Sequence, residues 1–278
     1  MSADTVDERA YAKLNLILHV ARPRADGMHP LGSIFASIDL FDEIRVEPGD
    51  GAGDSVECAG LDGPNLAEEA LGAFRRRVPE LPPLRVRIEK RIPVAAGLGG
   101  GSADAAAVLR AANRIVGEPL NRGALRDLGA ELGSDVPSQI DPRHALVSGV
   151  GEVVDPIELP AFGAVLVPHN PGLPTAQVYA EFDRLGGGRR EVDLEALRAL
   201  GREMALLPVL GNDLQPAALA LRPELAAVLA SLRGQGALGV LVSGSGPTCF
   251  GLFEDRAAAE AVAARVDGAV AAGLRTDP

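Results

Sequence analysis

The segment Pro93-Val94-Ala95-Ala96-Gly97-Leu98-Gly99-Gly100-Gly101-Ser102-Ala103-Asp104-Ala105 holds four glycines within five residues. Without Cβ atoms the backbone there can come close to a ligand and turn successive N–H groups toward it. A helix starting near Ser102 would aim the positive end of its dipole at the same point, so the segment predicts a cradle for a chain of phosphates. Two familiar phosphate signatures do not describe it. No Lys-Ser/Thr pair closes it as in a Walker loop, and Ser102 stands where the dinucleotide fingerprint has its third glycine. Gly101-Ser102-Ala103-Asp104 also lacks the final glycine of a nucleophile elbow, which leaves a serine hydrolase as a distant alternative. Tight strand-to-helix packing alone would need one or two glycines, given what each costs in chain entropy.

Three further segments carry residue types that can do chemistry. Ala12-Lys13-Leu14-Asn15-Leu16 places an ammonium and an amide on one side of an alternating stretch, though a strand with a solvated lysine is common. Leu132-Gly133-Ser134-Asp135-Val136-Pro137 puts a carboxylate after a helix stop, where an acid most often caps the next turn. Val242-Ser243-Gly244-Ser245-Gly246-Pro247-Thr248 is a second loop of small residues, which by itself reads as a hairpin turn.

The elements that must position these residues follow from periodicity. Leu14, Leu16, Leu18 and Val20 alternate with Lys13, Asn15, Ile17 and His19, which predicts a strand. Residues 34–40 and 44–47 read as two further extended pieces. Asn65 is placed to cap a helix carrying Leu66, Ala70, Leu71 and Phe74 and ending before Pro79. Leu84, Val86 and Ile88 alternate with charged residues, a strand with one wet face. Ala105, Val108, Leu109, Ala112, Ile115 and Val116 predict a helix from about Ser102 to a stop at Gly117, and a second helix follows Asn121 and ends at Gly133. Beyond Asp155-Pro156 the pattern restarts with a strand at 164–167 and a turn at 168–172. Helices are expected near 175–185, 194–207 and 223–232, strands at 238–243 and 248–253, and an alanine-rich helix at 255–266. Mixed strands and helices without strict alternation and without an internal repeat indicate an α+β protein in two parts.

The 278 residues are 47% hydrophobic and 23% charged, an ordinary globular composition. A net charge of -11 removes the main driving term for coating nucleic acid. Cys58 and Cys249 lie far apart with no companion spacing for zinc or a redox pair, so two reduced, buried thiols are expected and no metal ligands are assigned. The acidic start, Met1 to Arg9, lacks the basic and apolar parts of a secretory signal, and no apolar run reaches the length of a membrane span. A cytoplasmic location is the expectation.

Together and in this order the segments resemble the GHMP kinases, whose three motifs match the early strand, the glycine loop and the late glycine loop. Further matching pieces are Arg24-Ala25-Asp26-Gly27-Met28-His29, Lys90-Arg91-Ile92-Pro93, Leu132 to Pro137, Pro174-Thr175 and Asn212-Asp213-Leu214, so the resemblance runs from about residue 11 to about 253. It is closest to the branch whose alcohol substrate carries a cytidine diphosphate group, in isoprenoid-precursor synthesis by the non-mevalonate route. The resemblance implies a two-domain α+β fold: an ATP-binding N-terminal domain over 1–155, like domain 2 of ribosomal protein S5, and a ferredoxin-like, substrate-binding C-terminal domain over 156–278. The active site would lie in the cleft between them.

The resemblance also implies roles. Lys13 and Asp135 match the catalytic positions. Pro93, Val94, Ala95, Ala96, Gly97, Leu98, Gly99, Gly100, Gly101, Ser102 and Ala103 match the ATP-phosphate loop. Asn15, His29, Thr175 and Tyr179 match substrate contacts, the last with its ring stacked on the cytosine. ATP and Mg²⁺ are the implied cofactors. The implied partner is the small-molecule substrate, with no nucleic acid and no membrane, for a monomer or weak homodimer. Met28 stands where the family usually has tyrosine, Ser138 replaces the usual aromatic or aliphatic residue, and Tyr11 stands where proline is common. The alternatives are a GHMP kinase for another small alcohol, such as homoserine or mevalonate, and a catalytically silent nucleotide-binding protein on the same scaffold.

Overall fold

The computed structural model describes residues 5–49, 51, 53–59, 65–203 and 207–276. The first four residues of the acidic start, and 204–206 of the helix expected over 194–207, lie outside them. In chain order come strands β1 (Val6–Val20), β2 (Leu31–Pro48) and β3 (Ser55–Cys58), helix α1 (Leu66–Arg77) and strand β4 (Leu84–Glu89). Helices α2 (Gly100–Ile115), α3 (Arg122–Ala130) and the single turn α4 (Val136–Gln139) follow, then strands β5 (Ala145–Gly149), β6 (Val153–Pro156) and β7 (Gly163–Val167). The remainder is α5 (Thr175–Arg184), α6 (Leu194–Glu203), β8 (Gly211–Asn212), α7 (Gln215–Leu221), α8 (Leu225–Gly234), β9 (Gly239–Val242), β10 (Cys249–Phe253), α9 (Arg256–Ala263) and β11 (Val270–Gly273).

These elements form two compact units assembled from interleaved segments. The first contains Met1–Ala12, Leu40–Ile92 and Gly99–Pro142; the second contains Lys13–Asp39, Pro93–Leu98 and Arg143–Pro278.

In the first unit, β4 pairs antiparallel with the C-terminal half of β2 (Ile44 opposite Ile88, Val46 opposite Val86) and parallel with β3. Leu84, Val86 and Ile88 are buried while Arg87 and Glu89 are exposed, the one wet face that alternation predicts. Helix α1 starts where Asn65 Oδ1 accepts the Glu68 N–H at 2.9 Å, and α3 where Asn121 Oδ1 accepts the Ala124 N–H at 2.9 Å, satisfying first-turn donors that have no partner within a helix. Leu71, Phe74, Val108, Leu109 and Leu125 join the strand residues in one core. Burying a side chain such as Phe74 contributes about 2–3 kcal/mol. The pieces expected at 34–40 and 44–47 are one 18-residue strand.

In the second unit, the N-terminal half of β2 pairs antiparallel with β5, β5 with β6, and β1 pairs parallel with β8 at Ile17–Gly211 and Leu18–Asn212. A separate four-stranded sheet has the order β11-β7-β10-β9. Its core contains Val165, Val167, Phe182, Leu225, Leu229, Leu232 and Phe253. Strands β9 and β10 are antiparallel neighbours, so residues 243–248 do form a hairpin connection. Cys58 and Cys249 are both free thiols; Cys249 is buried, with its pKa pushed up to about 12 by burial, but Cys58 is only half-buried at the end of β3. Among the described residues no helix is long and apolar enough to cross a membrane.

Candidate active site

Lys13 lies mid-way along β1 and is buried, at 5% exposure, rather than solvated as an isolated strand lysine would be. Its Nζ donates to Asn15 Oδ1 at 2.6 Å and sits 4.7 Å from the centre of the Phe35 ring. The amide of Asn15 donates onward to Ser33 Oγ at 2.9 Å, and that hydroxyl donates to the carbonyl of Ile17 at 2.6 Å. A buried ammonium needs such partners, and the chain of bonds fixes where it points. Asn15, implied as a substrate contact, has both ends of its amide engaged in orienting Lys13.

Residues 93–98 of the glycine loop lie in the same unit and are held by that strand and by the late glycine loop. The backbone N–H of Lys13 donates to Leu98 O at 2.9 Å, Thr248 N–H donates to Ala96 O at 3.2 Å, and Ser243 Oγ donates to Gly97 O at 3.0 Å. Gly97 has φ +76°, and a Cβ there would stand 2.3 Å from Ser243 O, so both its backbone conformation and the close approach require glycine. Asn212 ties the late loop in turn, its Nδ2 donating to Val242 O at 2.8 Å and Gly244 O at 2.7 Å. The early strand, the first half of the glycine loop and the late loop therefore converge.

The second half of the glycine loop belongs to the first unit. Gly99, in left-handed conformation, precedes α2, which begins at Gly100, two residues before the expected start at Ser102. The first turn of α2 holds no acidic residue that would offset the positive end of its dipole there. In this unit too, Asp135 is half-buried and directly precedes the turn α4. Its carboxylate makes no capping bond to that turn, contrary to the commonest use of an acid after a helix stop; instead Ser138 Oγ donates to the Asp135 carbonyl at 2.7 Å.

The implied substrate contacts gather in the second unit. His29 Nε2 lies 2.9 Å from Asp183 Oδ1, and its ring is 5.0 Å from that of Tyr179 and 6.2 Å from that of Phe182. Thr175 Oγ1 and Ser245 Oγ are 3.0 Å apart, which links the start of α5 to the late glycine loop. Met28, where tyrosine is usual, is 47% exposed.

Several side chains that shape this region carry no sequence signal of their own. Ser33, Phe35 and Asp183 act on Lys13, Asn15 and His29 from far along the chain. Asp213, in a segment matched without a role, accepts the Val20 N–H at 3.0 Å and a two-pronged pair from Arg189 at 2.6 and 2.8 Å. This fastens the C-terminal end of β1.

Comparison with known proteins bears on the same segments. Residues 65–141 match the family model described as the GHMP kinases N terminal domain, and residues 191–272 that described as GHMP kinases C terminal. The chain is 41% identical over 271 residues to the 4-diphosphocytidyl-2-C-methyl-D-erythritol kinase of Desulfitobacterium hafniense (strain Y51), covering 95% of this chain and 92% of that protein. With the protein of the same name from Streptomyces avermitilis it shares 42% identity over 274 residues, 93% and 91% of the two chains. A crystal structure of 4-(cytidine 5'-diphospho)-2C-methyl-D-erythritol kinase superposes with a TM-score of 0.83 at 36% identity, covering 98% of this chain and all of that one. Mevalonate kinase of L. major, in complex with R-mevalonate, shares the fold alone, with a TM-score of 0.74 at 17% identity over 99% and 98% of the two chains. By this similarity over nearly its whole length, the chain belongs to the GHMP kinases.

Proposed function

We propose that this chain transfers the γ-phosphoryl group of ATP to the 2-hydroxyl of 4-diphosphocytidyl-2-C-methyl-D-erythritol, giving the 2-phosphate and ADP, a step in isoprenoid-precursor synthesis by the non-mevalonate route. Identity above 40% to kinases of that name over more than nine-tenths of the chain supports the substrate. The structural observation that carries the chemistry is the buried Lys13 ammonium on a strand whose own backbone is hydrogen-bonded to the glycine loop.

In the reaction, the O–Pγ bond to the 2-hydroxyl oxygen forms, the bond from Pγ to the bridging oxygen of ADP breaks, and the hydroxyl proton leaves. Such transfer asks mainly for positioning and charge stabilisation. Backbone N–H groups of the loop over 94–102 and the start of α2 hold the phosphate chain. Lys13, aimed by Asn15 and Ser33, offsets the charge that builds on the transferred group. Asp135, directly before the turn α4, takes the hydroxyl proton or aligns the hydroxyl for attack. Tyr179 and His29 receive the cytosine, where an aromatic face offers dispersion without demanding hydrogen bonds.

Among the described residues no group of three or more His, Cys, Asp or Glu could hold a metal by itself, so Mg²⁺ would enter with the nucleotide rather than reside in a cage built by the protein alone. Bound with the nucleotide, it would neutralise phosphate charge. The protein works in the cytoplasm, as a monomer or weak homodimer.

The test is an ADP-release assay with the cytidyl alcohol beside homoserine, mevalonate and no acceptor. Turnover confined to the cytidyl alcohol is expected. Turnover with another alcohol alone would move the chain to a different branch, and ATP binding without product from any of them would make it catalytically silent.

A further inference from the structure

Lys90, Asp42 and Asp104 form a charged cluster in the first unit that the mechanism does not use. Asp42, fully buried on β2, accepts three bonds: the Arg91 N–H at 2.5 Å and the Ile92 N–H at 2.8 Å on Oδ1, and Lys90 Nζ at 2.5 Å on Oδ2. Lys90, the residue after β4, also donates to Asp104 Oδ2 at 2.7 Å. Asp104 is 5% exposed and stands one turn into α2; its other oxygen, Oδ1, is buried without a hydrogen-bond partner. Residues 90–92 precede the glycine loop and Asp104 follows it, so one ammonium joins the two stems. The stems also touch: a Cβ on Gly100 would come within 2.9 Å of Ile92 Cγ2 and 3.4 Å of Lys90 Nζ.

We propose that this cluster is a clasp that sets the spacing of the two stems of the phosphate loop, with Asp104 and Lys90 as positioning residues for ATP. The proposal rests on the reading of residues 93–103 as the phosphate loop. Three charged side chains are an expensive way to fill a core, since well-packed apolar residues of similar volume are often as stable or more so. What a clasp supplies that apolar packing does not is a directional tie: Lys90 can satisfy Asp42 and Asp104 together only at one separation of β4 from α2. A cradle of backbone N–H groups depends on such spacing, because a displacement of about 1 Å can cost about a hundredfold in rate or binding. Burial and the neighbouring Asp42 carboxylate, opposed by Lys90, lift Asp104 to about 7. Burial holds the Cys58 thiol on β3 above its ordinary value, with Lys90 opposing that rise and Asp104 and Asp42 adding to it.

The experiment compares Asp104→Ala, which cuts the tie, with Asp104→Asn, which keeps an acceptor for Lys90. Steady-state kinetics with ATP and the cytidyl alcohol varied separately, ADP calorimetry and thermal melts are read for each. In Asp104→Ala the ATP KM and ADP Kd should rise about tenfold, with kcat at saturating ATP and the alcohol KM within about twofold of wild type. Asp104→Asn should fall between. Val108→Ala, a core substitution on the same helix, should lower the melting temperature and leave the ATP KM alone. An unchanged ATP KM in Asp104→Ala, or an equal rise in Val108→Ala, overturns the clasp and leaves the cluster a fold-stabilising one. If Asp104→Ala does not fold, an unchanged ATP KM in Asp104→Asn overturns it instead. Failure of the wild-type protein to bind ADP at all would be a failure of the phosphate-loop reading, and would remove the clasp with it.

Discussion

Gly101→Ala separates a loop shaped for folding from a loop shaped for phosphate. Gly101 is exposed in the first turn of α2, and a Cβ there meets no atom within 4 Å. Its backbone is helical, outside the left-handed region, so alanine fits without strain. Replacing glycine by alanine at a compatible helical position favours the folded state by about 0.4–1 kcal/mol, through the smaller entropy lost on folding. For a chain of this size that raises the melting temperature by about 2 °C. If the first turn cradles phosphate, however, the added methyl occupies space that a ligand accepting from the neighbouring N–H groups must enter. A charge-assisted hydrogen bond is worth about 1.5–3 kcal/mol, so losing one should raise the ATP KM by about 10- to 100-fold. Stability and affinity would then move in opposite directions, which general damage does not produce. Thermal melts and ADP release with ATP varied read the two quantities. A stabilised variant with an unchanged ATP KM would refute the assignment of the phosphates to this turn.

The other expectations divide by site. Gly97→Ala should lower both stability and ATP affinity, because its Cβ would stand 2.3 Å from the Ser243 carbonyl, and melts and the same kinetics check this. Asp135→Asn should lower kcat by about 10²–10⁴ with little change in either KM, and near wild-type turnover would remove its assignment to the hydroxyl. Tyr179→Ala should weaken binding of the cytidyl alcohol by about 1–3 kcal/mol, and an unchanged KM would put the cytosine elsewhere. Asp104 makes stability depend on pH. Its folded pKa of about 7 lies above the ordinary 3.8, so the folded state holds its proton more tightly than the unfolded one. The group's contribution is therefore whole below about pH 4 and is lost as pH rises to about 7, by about 4 kcal/mol in all. Lys90, held above its ordinary value by Asp104 and Asp42 against the cost of burial, titrates outside that window. Melting temperatures of the wild type should fall between pH 5 and 8 more than those of Asp104→Asn, and parallel curves would contradict this.

How far the fold could be read from residues depended on how far each interaction reaches along the chain. Asn65 and Asn121 announce helices α1 and α3 because each side chain accepts from the N–H three residues on. The wet-faced strand β4 and the apolar stripe of α2 follow from period alone. Strand β8 has two residues, too few for any period, and exists because Gly211 and Asn212 pair with Ile17 and Leu18. Helix α7, opening at Gln215-Pro216 and rich in alanine, shows too little contrast between faces to be picked out.

The break expected in β2 has the same origin. A carboxylate at position 42 interrupts the apolar alternation and looks like a turn, yet Asp42 is fully buried and the strand runs straight through it. The partners that make this tolerable, Lys90 and the N–H groups of Arg91 and Ile92, lie 48 to 50 residues further on. Lys13 repeats the pattern: its type and position marked it for chemistry, but Phe35 and Ser33, which make its burial bearable and fix its direction, are invisible until the strands are paired. A charged residue in an apolar stretch is thus ambiguous in sequence between a break and a site. What decides is whether distant groups satisfy its hydrogen bonds, because a buried charge without them would cost more than the surrounding strand gains. For Lys13 and Asp42 those groups are present, and each charge sits inside a continuous strand at the edge of a glycine loop's stem or flank, where rigidity in the strand becomes rigidity in the loop.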